Sequence, residues 1–512
     1  MYKHTLEREN VIRIPLIGTP YSRIIEEASG SSADSGIVGI GVIGNMIVGY
    51  TMSSTKDQRY VNCFPEKIKN SLTGDEKYFI IKRPGFTTNT TPAAGSEGCA
   101  IRIWAGQGNG TAIISAFGLT NSTLYNGISS LGAVTGVITS INETLIGTTA
   151  NLLITTDSNK GYFYDDGGSL TEITDVDFPS NASQTITGGF VPLNGYNYIM
   201  TTSGRIYNSD LDSISSWTAL NWLSTNIKPD QGIGLARYKN YIVAFGKEST
   251  EFFQTIDNAT GSPLQPIQNI VINIGCISQY GFKELGDTLV WLGSTSESGL
   301  GVYVMDGMNA KKISTPSIDG ILSTTNVSSI YLNTINLVGH TFVVLVSHSD
   351  ARTYVYSVEE DLWHEWTSGT ILWTHMTGIG TGTRNIYAIS RGSTSGKVYV
   401  INPTNFVFQD DGSNYLVTIQ TSRWDANTNH RKFLSKLRLI GDKYDSTNNV
   451  SVSWSDDDYI TFNTARTVDL SSAYDYLNGC GSFRRRSWKI TQENSLPLRL
   501  EALEFLIKQG IK

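Results

Sequence analysis

The sequence is short of charge, of helix-forming runs and of any basic surplus. Charged residues make up 17% of the chain's 512 positions, and long Ala/Glu/Lys/Leu stretches are missing. That disfavours helical bundles and coiled coils. The four cysteines, Cys63, Cys99, Cys276 and Cys480, lie far apart with no CxxC pair. Their spacing gives neither a zinc site nor a disulfide framework, so buried free thiols are expected. No apolar run reaches the roughly 20 residues that a membrane-spanning helix requires. The opening MYKHTLEREN lacks the apolar stretch of a signal peptide. The expectation is a soluble chain, made in a cytoplasm, with no membrane-spanning segment.

Net charge is −7 and the pI is near 5.5. A protein that coats DNA needs a basic balance or a basic face, so that role is disfavoured. An acidic wall is compatible with a duplex passing by, because like charges do not stick.

Catalytic signatures are also missing. The six histidines, His4, His340, His348, His364, His375 and His430, show neither HExxH nor HxH spacing, and no GxSxG elbow or P-loop occurs. The expectation is no enzyme, no cofactor and no metal. Gly39-Ile40-Gly41-Val42-Ile43-Gly44 matches GxGxxG formally. It lacks the strand-to-helix context in which that motif cradles a pyrophosphate. Ser455-Asp456-Asp457-Asp458-Tyr459-Ile460-Thr461-Phe462 resembles the aspartate box of sialidase propellers, with Tyr459 at the glycine position and Phe462 at the tryptophan. The box is a turn element in which Asp caps backbone N–H groups. Trp363 and Trp366, beside Asp361 and Glu365, suit sugar stacking or, more simply, aromatic packing at a blade edge.

What is abundant is glycine, at 50 residues, and tyrosine, at 25. With Thr, Ser, Ile, Val and Asn they point to strands and turns. Between about residues 100 and 410 one pattern recurs: an apolar strand, a polar turn, then a strand carrying an aromatic. The copies are LLITTDSNKGYFYDD, YIMTTSGRIYNSD, YIVAFGKESTEFFQT, LVWLGSTSESGLGVYVMDG, FVVLVSHSDARTYVYS and IYAISRGSTSGKVYVIN, with AIISAFGLTNSTLYNG a weaker early one. Tyr164, Tyr207, Phe253, Tyr303, Tyr356 and Tyr399 anchor them at a period of roughly 40–55 residues, the range of four-stranded propeller blades. A row of sandwich domains needs about 100 residues each.

The predicted fold is therefore all-β: a propeller of six or seven blades over 96–410, preceded by an N-terminal arm and platform segment (1–95). A Gly-rich insertion occupies about 28–53. A C-terminal antiparallel, sandwich-like module (411–512) follows.

Several stretches together resemble one known family. They are IPLIGTPYSR (Ile14 to Arg23), QRYVNCFPE (Gln58 to Glu66), KRPGF (Lys82 to Phe86) and Lys228 to Leu235. Ile242 to Phe253, Ile272 to Phe282, Leu289 to Gly307 and Lys311 to Asp319 follow in order. The series is similar to the packaged-DNA stabilisation proteins, or tail hub (nozzle) proteins, of short-tailed double-stranded DNA phages. The stretch at 28–53 departs from that pattern. The resemblance implies a virion tail protein without catalysis, assembled as a ring, expected to be a hexamer, below the portal and its adaptor ring. Such a ring extends the DNA channel, helps retain the packaged genome without sequence-specific binding, and docks tail fibres or spikes and a tail needle or plug. The alternative from another class is a carbohydrate-binding or glycan-hydrolysing propeller for host recognition.

The octet FRRRSWKI (Phe483 to Ile490) bears on that choice. In a strand, Arg484, Arg486, Trp488 and Ile490 share one face, and Arg485 lies on the other. The arginines are split rather than massed into one basic stripe. With Arg431 and Arg438 nearby in the module, Arg484, Arg485 and Arg486 are candidate contacts for subunit or intramodule pairing. A solvated edge strand and direct DNA contact remain open.

Overall fold

Each of the seven sequence copies folds as a hairpin, and each hairpin supplies the second and third strands of a separate sheet. Tyr196–Thr201 with Arg205–Ser209 is one such pair, and Tyr241–Gly246 with Thr250–Thr255 is another. In this computed structural model the described residues are 10–16, 40–43, 46–49, 58–69, 76–104, 112–225, 228, 230–256, 258, 261–295, 299–337, 339–368, 371–378, 384–426 and 428–510. The chain forms two compact units. One comprises 86–358 and 370–406; the other comprises 1–85, 359–369 and 407–512.

In the first unit the hairpins are packed on both faces, which explains their unbroken apolar runs. Thr149–Thr156 is buried at all but its first residue, and His340–Ser347 at all but its second. All six aromatic anchors are buried, from Phe253 at 0% exposure to Tyr164 at 8%. Turn chemistry agrees with the pattern: Asn159, at a hairpin tip, takes φ +60°, a conformation Asn tolerates.

Neighbouring sheets share apolar cores. Phe178, Phe190 and Trp217 join the second sheet to the third, with Phe178 and Trp217 meeting edge-to-face at 5.0 Å. Such a pair adds about 0.5–1.5 kcal/mol beyond its burial. Ile103 and Phe117 of the first sheet pack on Tyr387, Ile389 and Val398 of the seventh, so the series closes into a ring. The seventh sheet takes its outermost strand from early in the chain. Thr87–Thr90 pairs antiparallel with Val398–Ile401, with Thr88 opposite Tyr399. Among the described residues the ring thus has seven blades. The predicted β-propeller is the observed fold.

First strands crowd at the ring's centre. Gly188 has φ +70°, and a Cβ there would lie 2.9 Å from the Gly234 Cα on the next sheet's first strand. Only glycine at this pair lets the two backbones meet. One α-helix, Pro316–Thr324, occurs among the described residues; Thr315 caps it by accepting from the Ile318 N–H, and Pro316 sits where a missing donor costs nothing. No helix there is long and apolar enough to cross a membrane.

The second unit is built of two sheets around one core. Lys432–Gly441 and Arg499–Gln509 pair along their lengths, and Asn10–Pro15, Glu76–Lys82 and Cys63–Lys69 extend that sheet. The other sheet runs Arg59–Val61, Val417–Gln420, Ser487–Gln492, Asn449–Ser455, Arg466–Asp469, with Leu362–Trp366 parallel to Arg59–Val61. Trp424, Trp488, Phe483 and Phe505 fill the space between, with Trp488 and Phe505 ring centroids 4.6 Å apart. The sandwich-like module of the sequence reading is therefore completed by strands from the start of the chain. Ile40–Ile43 of the Gly-rich stretch pairs with Met46–Gly49 as a hairpin, unlike the helix-opening turn of a dinucleotide site. The rest of that stretch lies outside the described residues.

Burial of thiols and phenols gives the fold an alkaline limit. All four cysteines are buried and free. Burial pushes Cys99 up to about 11 and Cys276 to about 12, from an ordinary 9.0. Cys63, Tyr60 and Tyr415 are raised as well. Above pH ~9 the unfolded chain releases these protons first and binds fewer than the folded one, so stability falls as pH rises. Lys82 opposes this. Burial lowers it to about 8, and between there and 10.5 it adds stability with rising pH. The thiols and phenols outnumber it. The urea midpoint is expected to fall between pH 9 and 11; a flat or rising midpoint would contradict that balance.

Candidate functional site

The five arginines singled out from the sequence take different roles. The strand breaks at Arg484 and Arg485 between Ser482–Phe483 and Ser487–Gln492. Arg486, Trp488 and Ile490 do share a face, and that face is the core. Arg486, 2% exposed, is held by Asp456 through two charge-assisted bonds of 2.6 and 2.7 Å. It also donates to the Cys480 carbonyl at 2.6 Å and lies 4.3 Å over the Phe483 ring. This is an intramodule lock. Arg438 likewise donates to the buried Asp475 at 2.8 Å. Arg484, Arg485 and Arg431 are exposed. Arg485 pairs with Asp458 at 2.6 Å, and Arg484 donates to the Asn429 carbonyl at 2.6 Å.

The partners of Arg485 and Arg486 come from the aspartate-box segment. Asp457 accepts from the Thr461 N–H at 2.9 Å and from Ser455 Oγ at 2.8 Å. With the Thr461 hydroxyl these bonds hold its carboxyl down to about 2. Asp458 and Tyr459 take φ +60° and +71°, the conformation that glycine supplies in the box. The capped turn aims Asp456 at Arg486 and Asp458 at Arg485 and Arg423.

A second polar constellation gathers two of the family-like stretches. Arg83, from KRPGF, is fully buried and forks onto Asp410, with Nη1–Oδ1 at 3.0 Å and Nη2–Oδ2 at 2.5 Å. Its Nε donates to Asn62 Oδ1 at 2.8 Å, and the Tyr415 ring lies 4.1 Å from the guanidinium. Asn62, from QRYVNCFPE, also accepts from the Thr367 N–H at 2.8 Å and donates to the Leu416 carbonyl at 2.8 Å. Trp366 packs buried beside Arg83, and Glu365 pairs with Arg59 at 2.8 Å. The tryptophan segment thus belongs to the sandwich unit, with Trp366 in its interior.

In the propeller, the seven first strands surround a cavity of about 540 Å³. Arg102, Glu143, Arg237, Lys283, Glu284 and His375 are its titratable lining apart from tyrosines. Apart from the adjacent Lys283 and Glu284, each sits on a different strand, alone in sequence. No spacing rule links them, so the sequence reading missed them.

A family model described as "Bacteriophage P22 Gp10, beta-propeller", of the phage-stabilisation family, matches residues 50–404. The chain belongs to this family. It is a bacteriophage structural protein with a β-propeller fold. The match takes in Asn62, Arg83 and all but the last two residues of the propeller unit, and ends before all five C-terminal arginines. No curated protein matches the sequence. Among solved structures, BBS1N in complex with ARL6DN is similar at 13% identity and a TM-score of 0.41, over 62% of this chain and 96% of that one. BamB from Moraxella catarrhalis is similar at 14% identity and a TM-score of 0.34, over 59% of this chain and 93% of that one.

Proposed function

We propose that the chain is the subunit of a ring-shaped tail nozzle that sits below the portal and adaptor, extends the DNA channel and docks fibres or spikes. The observation that carries this reading is the family match across nearly all of the propeller unit. Physical features support it. A closed propeller leaves only short, protected edges and rigid faces for neighbours. The acidic balance suits a wall past which DNA moves. The expected hexamer, the needle or plug contact, virion localisation and synthesis in the host cytoplasm belong to the same proposal. Purified chain mixed with adaptor rings is expected to form rings visible by electron microscopy. Persistent monomers, together with absence from purified virions, would overturn the reading.

Within it, the exposed Arg484, Arg485 and Arg431 are the proposed subunit contacts, while Arg486 and Arg438 brace the module. The double substitution Arg484→Ser, Arg485→Ser is expected to leave the urea midpoint nearly unchanged, since exposed pairs contribute about 0–1 kcal/mol, and to weaken ring assembly. Arg486→Ser should instead lower stability by about 2–3 kcal/mol through lost buried charge-assisted bonds. Normal rings from the double variant with impaired genome retention would favour direct DNA contact.

A further inference from the structure

The propeller cavity brings together donors that lack acceptors. Lys283, on Phe282–Leu285, reaches the cavity from an exposed position and has no hydrogen-bond or ion-pair partner among the described residues. Arg102, on Gly98–Trp104, reaches Glu143 at 3.7 Å and the Ile141 carbonyl at 3.4 Å, leaving its buried Nε without a partner there. His375, on His375–Thr377, has Nδ1 2.9 Å from Thr374 Oγ1, and its buried Nε2 has no partner there. Thr374 Oγ1 already accepts from the Arg391 N–H at 2.9 Å. In the tautomer in which Thr374 gives its hydrogen to Nδ1, the ring proton lies on Nε2. Three cavity walls then present N–H groups, and the complementary group is an acceptor.

Charge points the same way. The cavity lining carries Arg102, Arg237 and Lys283 against Glu143 and Glu284. Glu284 attracts both Arg102 and Lys283 without an ion-pair contact to either. Around His375 stand Lys283, Arg391 and His348, with Tyr331 4.7 Å and Tyr280 6.4 Å from its ring. Arg391 itself donates to the Tyr331 hydroxyl at 2.7 Å. Burial first, and then Lys283 and Arg391, hold His375 down to about 3. The volume, about 540 Å³, lies within the ordinary range of ligand pockets.

We propose that the centre of the propeller binds a small oxyanion, a phosphate or a carboxylate, between Lys283, Arg102 and His375. A duplex is far too wide for this space, so the ligand is a small ion or a single acidic group. The full chain is titrated by calorimetry with inorganic phosphate and, separately, with malonate, at constant ionic strength. At least one ion is expected to bind at one site per chain and to bind at least tenfold more weakly to Lys283→Met. Phosphate alone binding identifies a phosphate site, malonate alone a carboxylate site, and both a general oxyanion site. A second readout is the His375 imidazole pKa by NMR, which an adjacent anion should raise by a unit or more in the natural chain and not in the variant. Neither ion binding, or binding unchanged in Lys283→Met with a static His375 pKa, would overturn the proposal.

Discussion

Replacing Asp410 with alanine is expected to destabilise the sandwich unit by about 3–5 kcal/mol, the cost of leaving a buried charge without its partner. Both side chains are essentially inaccessible, Arg83 at 0% and Asp410 at 1%. Arg83 has no route to water, so its guanidinium stays charged and unsolvated in the variant. Asn62, Pro84 and Thr367 would still accept from it, which keeps the loss near the lower end of that range if the side chain holds its place. Urea unfolding of Asp410→Ala and Arg83→Met, singly and combined, measures the pair directly. A coupling of more than about 1 kcal/mol is expected, as for groups in one hydrogen-bonded network. Additive losses would show that Arg83 is anchored by its neutral partners instead.

That network also ties together residues from two of the family-like stretches near the start of the chain. Asn62 takes φ +57°, a conformation Asn adopts more readily than most residues. In that pose its side chain serves Arg83, Thr367 and Leu416 together. Lys82 lies buried beside them, donating to the Asn494 and Leu496 carbonyls at 2.5 and 3.2 Å with the Tyr415 ring 4.9 Å away. Each residue type here is fixed by several partners distant in sequence.

The propeller was legible because its middle strands are buried on both faces and so read as apolar runs. Its first strands are not legible in the same way. Ile186–Leu193 carries a register shift between Thr187 and Val191, with Gly188 and Gly189 between them. Thr87–Thr90, the closing strand, is exposed at Thr88 and Asn89 and has no apolar pattern at all. Cavity residues were hidden for a different reason. Lys283 and His375 line one cavity from separate repeats, and nothing local in either repeat marks them. In the octet FRRRSWKI, alternation correctly put Arg486 with Trp488 and Ile490. It failed at Arg484, where the bend after Phe483 interrupts the strand. A run of three arginines carries no sign of which one Asp456 will draw into the core.

Gly85→Ala should be a strongly damaging single methyl, because it strikes backbone beside the buried ion pair. A Cβ at Gly85 would lie 2.0 Å from the Gln409 carbonyl oxygen, 2.5 Å from its carbon and 2.8 Å from its nitrogen. The obstacle is backbone, so no rotamer change relieves it. That backbone is also pinned, because the Gly85 N–H donates to the Val407 carbonyl at 2.6 Å and Asp410 exchanges backbone bonds of 2.8 and 2.9 Å with Ser413. Separation therefore has to come from moving 407–410, which carries Asp410 away from Arg83. The variant is expected to lose about as much as Asp410→Ala, about 3–5 kcal/mol, and to lose little more when Asp410→Ala is added. Thermal unfolding of the two single variants and the double one decides it. Full additivity would mean that the chain relaxes around Gly85 without disturbing the buried pair, and near-natural stability of Gly85→Ala would mean that the contact with Gln409 is not tight in solution.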